Sequence, residues 1–189
     1  MRAETHRLLG QLLVERFMPE QPQRYIRAFM LGCIQPDKNP TTYLKGSLRS
    51  QWLRGHNYYN ARNYMDRICT RLCKKELKLA DYYALGKLIH YTADAFTYAH
   101  NVAFGGKLAE HRRYERKLHS CFVQYVRVAQ WDTRQRGAHP AELIRRYHRA
   151  YCCCRPGVQT DVRFILRICC QLLPVLLDSP VPSLFPVFR

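Results

Sequence analysis

The chain has 189 residues, of which 47% are hydrophobic, and this favours one globular domain with a buried core and excludes a disordered or low-complexity chain. Its formal net charge of +17 indicates a surface that attracts polyanions such as nucleic acid, anionic lipid headgroups or phosphate-bearing substrates. No apolar run reaches about 18 residues, so we expect no membrane span. No signal peptide is visible, so we expect a cytoplasmic protein, or a secreted one if the chain is a processed form.

The first part of the chain predicts two helices and a loop. Apolar residues recur at helical spacing from Leu8 to Phe17, and Pro19 ends this pattern. A short second helix is expected from Gln23 to about Cys33. A turn-rich loop with two prolines is expected over residues 32–40.

Helical periodicity continues through the rest of the chain. Further helices are predicted over residues 61–77, 80–99, 108–131, 141–152 and 159–177, with an extended apolar tail over residues 179–189. No strand pattern, internal repeat or convincing linker interrupts this series. The sequence therefore predicts an all-α fold, a single multi-helix domain over residues 1–189 with about six or seven helices.

The nine cysteines do not predict a thiolate metal site. Two groups are adjacent in sequence, over residues 152–154 and 169–170, and there is no Cys-x-x-Cys pair. Cys69 and Cys73 lie four residues apart on one helical face, an arrangement that core packing explains more often than metal binding. We therefore expect reduced, buried thiols.

A His-x3-Asp-x5-His pattern is the strongest functional signal in the sequence. His90 and Asp94 are four residues apart, so a helix projects both side chains from one face, close enough to hold a single metal ion. On a continuing helix, His100 would lie roughly 15 Å along the axis from His90. We therefore expect His100 to bind a neighbouring ion.

A second i,i+4 pair, His111 and Glu115, follows a break at residues 105–106. Two antiparallel helices joined at this break would bring the pair back towards His100, and three ligands for a second ion would then meet. The remaining histidines match no such pattern and are expected in solvated positions: His119, His139 and His148.

The chain resembles the zinc-dependent phospholipases C, whose superfamily also contains the single-strand-specific zinc nucleases. In that family an early helical His is followed by a loop Asp and another His, and then by the His-x3-Asp-x5-His helix and the His-x3-Glu pair. The resemblance spans residues from about 6 to 115 and is most specific in its last five ligands. The matching residues are His6, Asp37, His56, His90, Asp94, His100, His111 and Glu115.

The resemblance implies two zinc ions (Zn2+) and a third that depends on the start of the chain. The first ion would be held by Asp37, His56, His90 and Asp94, and the second by His100, His111 and Glu115. Asp94 would bridge to a third ion shared with His6. In the secreted phospholipases this third ion also binds the backbone amine and carbonyl of an N-terminal Trp, whereas Met1 stands before His6 here. We therefore expect the third site to be weak, empty or completed by water.

The implied activity is hydrolysis of a phosphodiester, most of all the headgroup bond of a phospholipid. A zinc-bound water loses its proton near neutral pH and becomes the nucleophile, while the ions neutralise charge in the transition state. Asp37, at the rim of the site, would orient that water or act as general base, and it is the predicted catalytic residue. The expected partners are a phospholipid or other phosphodiester and an anionic membrane surface.

Two other functions stay open at this point. A zinc nuclease would suit the net charge of +17, and the basic residues interleaved with aromatics from Arg54 to Tyr64 could follow a nucleic-acid backbone and stack on bases. Alternatively, zinc could hold the helices together in a non-catalytic interaction module with no open coordination position.

Overall fold

The computed structural model describes residues 1–38, 57–73, 76–126 and 139–177. Within these ranges the chain forms seven α-helices, one short 3-10 helix and no strand, which confirms the predicted all-α fold. The helices are α1 (Ala3–Phe17), α2 (Gln23–Lys38), α3 (Tyr58–Leu72), α4 (Leu79–Ala95), α5 (Leu108–Val126), α6 (Pro140–Cys152) and α7 (Val158–Leu177), and the 3-10 helix is Tyr98–His100. No helix in these ranges is long and apolar enough to cross a bilayer.

The helices lie where the periodicity predicts them, but three of their C-terminal ends differ. One of these is α3, which ends at Leu72 instead of residue 77. α1 ends at Phe17, as expected, and α6 and α7 follow their predicted ranges closely. The prediction of a loop over residues 32–40 is wrong as far as Lys38, because α2 continues through Gly32 and Pro36. The rest of that predicted loop, the predicted extension of α5 and the predicted tail lie outside the described residues.

Packing carries α2 through residues that usually interrupt a helix. Phe29 and Cys33, one turn apart, are almost fully buried in the core, and their burial offsets the low helix propensity of Gly32. Pro36 has no N–H to donate to the Gly32 carbonyl oxygen, so it removes one helical hydrogen bond, and α2 ends two residues later at Lys38. The added turn places Asp37 on the side of α2 that faces the interior.

α4 ends at Ala95, earlier than the sequence predicts. Thr97 donates a hydrogen bond from Oγ1 to the Ala93 carbonyl oxygen over 3.0 Å, and side-chain bonding of this kind competes with the helical ladder. The Thr97 backbone N–H also donates a hydrogen bond to the Asp94 carbonyl oxygen. The chain then enters the 3-10 helix, so His100 lies close to the end of α4 instead of further along its axis.

α4 is the central helix of the described structure. It packs against α1, α2, α3 and α7, and buried side chains such as Leu85, Tyr91 and Ala93 lie on different sides of it. A helix that is apolar all round belongs in a protein interior. Its two predicted metal ligands, His90 and Asp94, are therefore both fully buried.

A buried carboxylate holds the start of α4. Asp81 Oδ2 accepts a hydrogen bond from the Lys78 backbone N–H over 3.0 Å, which caps the helix. Asp81 Oδ1 accepts two hydrogen bonds from the guanidinium of Arg71 on α3, over 2.6 and 2.9 Å. Charge-assisted bonds of this kind are among the stronger ones, and here they align α3 with α4.

α2 and α4 approach so closely at Gly32 and Gly86 that neither position has space for a side chain. A Cβ atom at Gly32 would overlap the Tyr83 carbonyl oxygen, and one at Gly86 would overlap the Phe29 carbonyl oxygen. Backbone atoms cannot move aside as the end of a flexible side chain can, so both positions require glycine. This contact sets the separation of the two helices one turn before His90.

The cysteines divide between the core and the surface, and all nine are free thiols. The expectation of buried thiols is confirmed for Cys33, Cys69, Cys169 and Cys170. It is wrong for the exposed cysteines, Cys73, Cys152, Cys153 and Cys154. The last three lie at the solvent-exposed C-terminal end of α6.

We expect Gly86→Ala to destabilise the protein. The added methyl group would overlap backbone atoms of α2, and overpacking of this kind costs about 1–3 kcal/mol. Gly105→Ala is the matched control, because nothing lies within 4 Å of a Cβ atom at that position. Urea unfolding of the two variants and the wild type would measure the difference, and an unchanged free energy of unfolding in Gly86→Ala would contradict the close contact.

Candidate metal centre

Seven of the eight predicted site residues come together around the C-terminal end of α4. They form two groups, and the potential ligand atoms within each group lie within 4.8 Å of one another. The first group is His6, Asp37, His90 and Asp94, and the second is His100, His111 and Glu115. The eighth predicted residue, His56, lies outside the described residues.

The first group is formed by side chains from α1, α2 and α4. Asp94 Oδ1 lies 3.2 Å from His6 Nε2, and Asp94 Oδ2 lies 3.3 Å from His90 Nε2. Asp37 faces the same two rings, with oxygens 3.6 Å from His90 Nε2 and 3.9 Å from His6 Nε2. The two imidazole rings stack with centroids 3.8 Å apart, so both present Nε2 to the same two carboxylates.

A backbone carbonyl orients His90. Its Nδ1 lies 2.9 Å from the carbonyl oxygen of Cys33 on α2. That oxygen can only accept, so Nδ1 carries the proton and Nε2 presents its lone pair to the carboxylates. A hydrogen bond on the far nitrogen is the usual support of a metal-ligating imidazole. Sequence reasoning missed this partner, because a carbonyl oxygen has no residue-type signal.

The second group is formed by the 3-10 helix and the first turns of α5. Glu115 Oε1 lies 3.1 Å from His100 Nε2 and 3.2 Å from His111 Nε2. The chain reverses direction over residues 101–107, so that His111 and Glu115 on α5 lie beside His100, as the sequence predicts. The Phe104 ring packs edge-on against the His111 ring within this return.

Asp94 joins the two groups. Its Oδ1 lies 3.9 Å from His100 Nε2 in the second group and 2.6 Å from the α-amino nitrogen of Met1. The Met1 nitrogen also lies 2.6 Å from His100 Nε2 and 3.1 Å from Glu115 Oε1. The fold therefore places the Met1 nitrogen between the two groups.

The electrostatics of the centre keep two of its carboxylates, Asp94 and Glu115, ionised. Burial alone raises the pKa of Asp94, but the Met1 amine and three neighbouring histidines hold it well below its usual range. Burial also opposes ionisation of Glu115, yet hydrogen bonds from the two histidines of its group lower its pKa. Burial lowers the pKa of the Met1 amine, but the nearby carboxylates raise it to about 10. The centre therefore attracts cations.

The donor atoms fit zinc. Zinc binds imidazole nitrogen and carboxylate oxygen at about 2.0–2.2 Å in tetrahedral geometry, which places neighbouring ligand atoms about 3.3 Å apart. The shortest distances between histidine nitrogen and carboxylate oxygen in the two groups are 3.1 to 3.3 Å. These distances are those of atoms that can share one ion.

One side of the centre faces solvent. The side chains of Asp37, His111 and Glu115 are 18%, 22% and 15% exposed. The deeper side chains are almost fully buried: His6, His90 and Asp94. The three partly exposed side chains are therefore the part of the centre that a ligand from solvent contacts first.

The other histidines belong to neither group. His119 Nδ1 lies 2.9 Å from Thr5 Oγ1 on α1, and the His139 side chain caps the N-terminus of α6. The expectation that His148 is solvated is wrong. His148 is buried and stacks on Tyr58 with ring centroids 3.6 Å apart, and burial lowers its pKa to about 4.

Residues 5–172 of the chain match the family described as zinc dependent phospholipase C. The matched range includes all eight predicted site residues and most of α7. No curated protein and no solved structure matches the chain.

We expect the protein to bind about two or three zinc ions per chain. His90→Ala and His111→Ala should each lower the zinc content by about one ion, because each removes a donor from a different group. His119→Ala is the matched control, since His119 bonds Thr5 instead of either group. Elemental analysis of protein purified without chelator would measure the content. A wild-type protein without stoichiometric metal, even after zinc is added, would show that the histidine pattern is structural.

Proposed function

The chain belongs to the zinc-dependent phospholipase C family, and on that premise we propose that it is an enzyme that hydrolyses phosphodiesters. Its proposed substrate bond is the one between diacylglycerol and the headgroup phosphate of a phospholipid. The observation that carries this proposal is the pair of donor groups, joined by Asp94 and open to solvent on one side. Neighbouring metal ions suit a phosphate ester, because they can bind its attacking and leaving oxygens together.

The proposed ligands follow the two groups. The first zinc would be held by Asp37, His90 and Asp94, with His56 as the further ligand that the family pattern implies. The second zinc would be held by His100, His111 and Glu115. His6 and the Met1 amine both lie beside Asp94 Oδ1, at the place where the family pattern implies a third ion.

Asp37 is the proposed catalytic residue. Zinc bound here would activate a water molecule near neutral pH and offset the charge that develops on the phosphate. Asp37 lies at the open side of the centre, 18% exposed, with its oxygens facing His6 and His90. Its carboxylate is placed to orient the attacking water and to accept its proton. Three carboxylates only partly neutralise two or three divalent ions, so the loaded site attracts phosphate.

Exposed apolar side chains beside the open side favour a lipid substrate. Leu108 is 66% exposed, one helical turn before His111, and Val102 is 48% exposed in the preceding chain reversal. Two exposed cations accompany them: Lys107 directly precedes Leu108, and Arg112 follows Leu108 by about one helical turn. Apolar side chains flanked by cations suit the surface of an anionic bilayer, where the apolar groups enter the acyl boundary and the cations contact phosphates.

The described part of the chain gives less support to the two alternatives. A nuclease would use free aromatic faces, but Tyr58 stacks on His148 and Tyr64 packs edge-on against Tyr91. Tyr59, 55% exposed, is the one tyrosine of residues 57–64 that is largely open to solvent. The start of that basic and aromatic segment, residues 54–56, lies outside the described ranges. A purely structural zinc site is closed by protein ligands on all sides, and the solvent-facing edge of this centre argues against that arrangement.

We expect the zinc-loaded protein to release diacylglycerol from short-chain phospholipids. His111→Ala should lower the rate by more than about 100-fold, because losing a metal ligand reduces activity more than losing a residue that only hydrogen-bonds to a ligand. A chelator should abolish the activity. His119→Ala should retain it. Product release from a panel of headgroups would be measured beside cleavage of single-stranded DNA. Cleavage of DNA alone would favour the nuclease, and no turnover of lipid, DNA or an aryl phosphodiester by zinc-saturated protein would favour the non-catalytic module.

We expect the double variant Val102→Ser, Leu108→Ser to act more slowly on anionic vesicles, by about three- to tenfold, because it buries less apolar area in the bilayer. Its kcat/KM on a monomeric short-chain phospholipid should stay unchanged. Leu31→Ser is the matched control, since Leu31 is 58% exposed on α2. Equal losses on vesicles and monomers would show that the two residues act on the site itself and not on membrane contact.

A further inference from the structure

Asp161, in the first turn of α7, is a fully buried carboxylate that joins three other elements. Its Oδ1 accepts a hydrogen bond from the Tyr151 hydroxyl over 2.8 Å. Its Oδ2 accepts hydrogen bonds from the Tyr114 hydroxyl over 2.9 Å and from the Tyr98 backbone N–H over 2.8 Å. Among the described residues no cation forms a salt bridge with it, so the buried charge depends on these three donors.

Two of the three donors belong to the elements that carry the second donor group. Tyr98 precedes His100 by two residues in the 3-10 helix, and Tyr114 directly precedes Glu115 on α5. The Tyr98 and Tyr114 rings also contact each other, with centroids 5.9 Å apart. Asp161 Oδ2 therefore ties the backbone that carries His100 to the helical turn that carries Glu115.

His100 depends on this anchor because, in the described part of the chain, no hydrogen bond orients the nitrogen of its ring that faces away from the donor group. Its Nδ1 is buried and has no hydrogen-bond partner within the described ranges, whereas His90 Nδ1 bonds the Cys33 carbonyl oxygen. A 3-10 helix of three residues is also too short to hold its own geometry firmly. The position of the His100 ring thus depends on its backbone, and Asp161 holds that backbone at Tyr98.

We propose that Asp161 is a positioning residue for the second metal site. By holding the 3-10 helix against α5, it keeps His100 Nε2 and Glu115 Oε1 at the 3.1 Å separation that a shared zinc requires. The inference rests on the proposed function, because that function places zinc at this group. Loss of such outer support typically lowers metal affinity about 10- to 100-fold.

The variants Tyr114→Phe and Tyr151→Phe separate positioning from stability. Each removes one hydroxyl bond to the same buried carboxylate, but only Tyr114 lies on a helix with predicted ligands, since α6 carries Tyr151 and none of them. We expect both variants to unfold at lower urea concentration than the wild type when metal is absent. Only Tyr114→Phe should weaken zinc binding at the second group, by about tenfold in competition with a chromophoric chelator.

Two further variants locate the effect. Adding Tyr114→Phe to His111→Ala should cause no additional loss of zinc affinity, because the second group is already broken and the first group does not use this support. Asp161→Asn should keep zinc affinity close to that of the wild type. Its amide oxygen can accept from Tyr98 and Tyr114 while its NH2 donates to the Tyr151 hydroxyl. Asp161→Ala loses all three bonds, including the one to the Tyr98 backbone, and should bind the second zinc more weakly than Tyr114→Phe.

Zinc affinity in Tyr114→Phe equal to that of the wild type would overturn the positioning role and leave the proposed function standing. Equal losses of affinity in Tyr114→Phe and Tyr151→Phe would do the same, because they would reduce Asp161 to a general stabiliser. A wild-type protein that binds no zinc at the second group would overturn the proposed function, and this inference with it.

Discussion

The backbone contact between α2 and α4 at Gly32 and Gly86 sets the geometry on which the metal centre depends. The two helices touch there without intervening side chains, so they lie closer together than two ordinary helix faces. One turn further along α4, His90 then meets the Cys33 carbonyl oxygen, and Asp37 near the end of α2 reaches the same imidazole. The first donor group is therefore assembled by helix packing, and its precision follows from the rigidity of two backbones in contact.

The side chains whose burial lowers folding stability most lie on or around α4, the central helix. Ionised carboxylates and histidines in an interior lower stability unless cations and hydrogen bonds compensate them, and apolar side chains of similar volume would usually be more stable there. Asp94 is fully buried between the two donor groups and its pKa stays low. A cluster that is costly for folding and well organised for binding is typical of a functional site. Membership of a zinc-dependent family explains why the chain keeps side chains that lower its folding stability.

The two donor groups receive their support from different parts of the fold. The first is held by α2, through the Cys33 carbonyl oxygen, and the second is tied to α7, through Asp161. α7 carries none of the predicted ligands, yet it reaches both elements of the second group and α6 as well. The match to the family extends into α7, which agrees with a unit whose later helices support a site built by the earlier ones.

The sequence by itself determined the fold class and the paired ligands. A period of 3.6 residues places His90 with Asp94, and His111 with Glu115, on one face of any helix. The sequence also predicted that His111 and Glu115 meet His100, but only the tertiary structure decided how closely the two candidate groups lie together. The early end of α4 and the extra turn of α2 bring His100 and Asp37 to the centre, and neither boundary follows from periodicity. Asp161 and the Cys33 carbonyl carry no pattern at all, because they act through contacts between residues far apart in the chain, which local spacing does not encode.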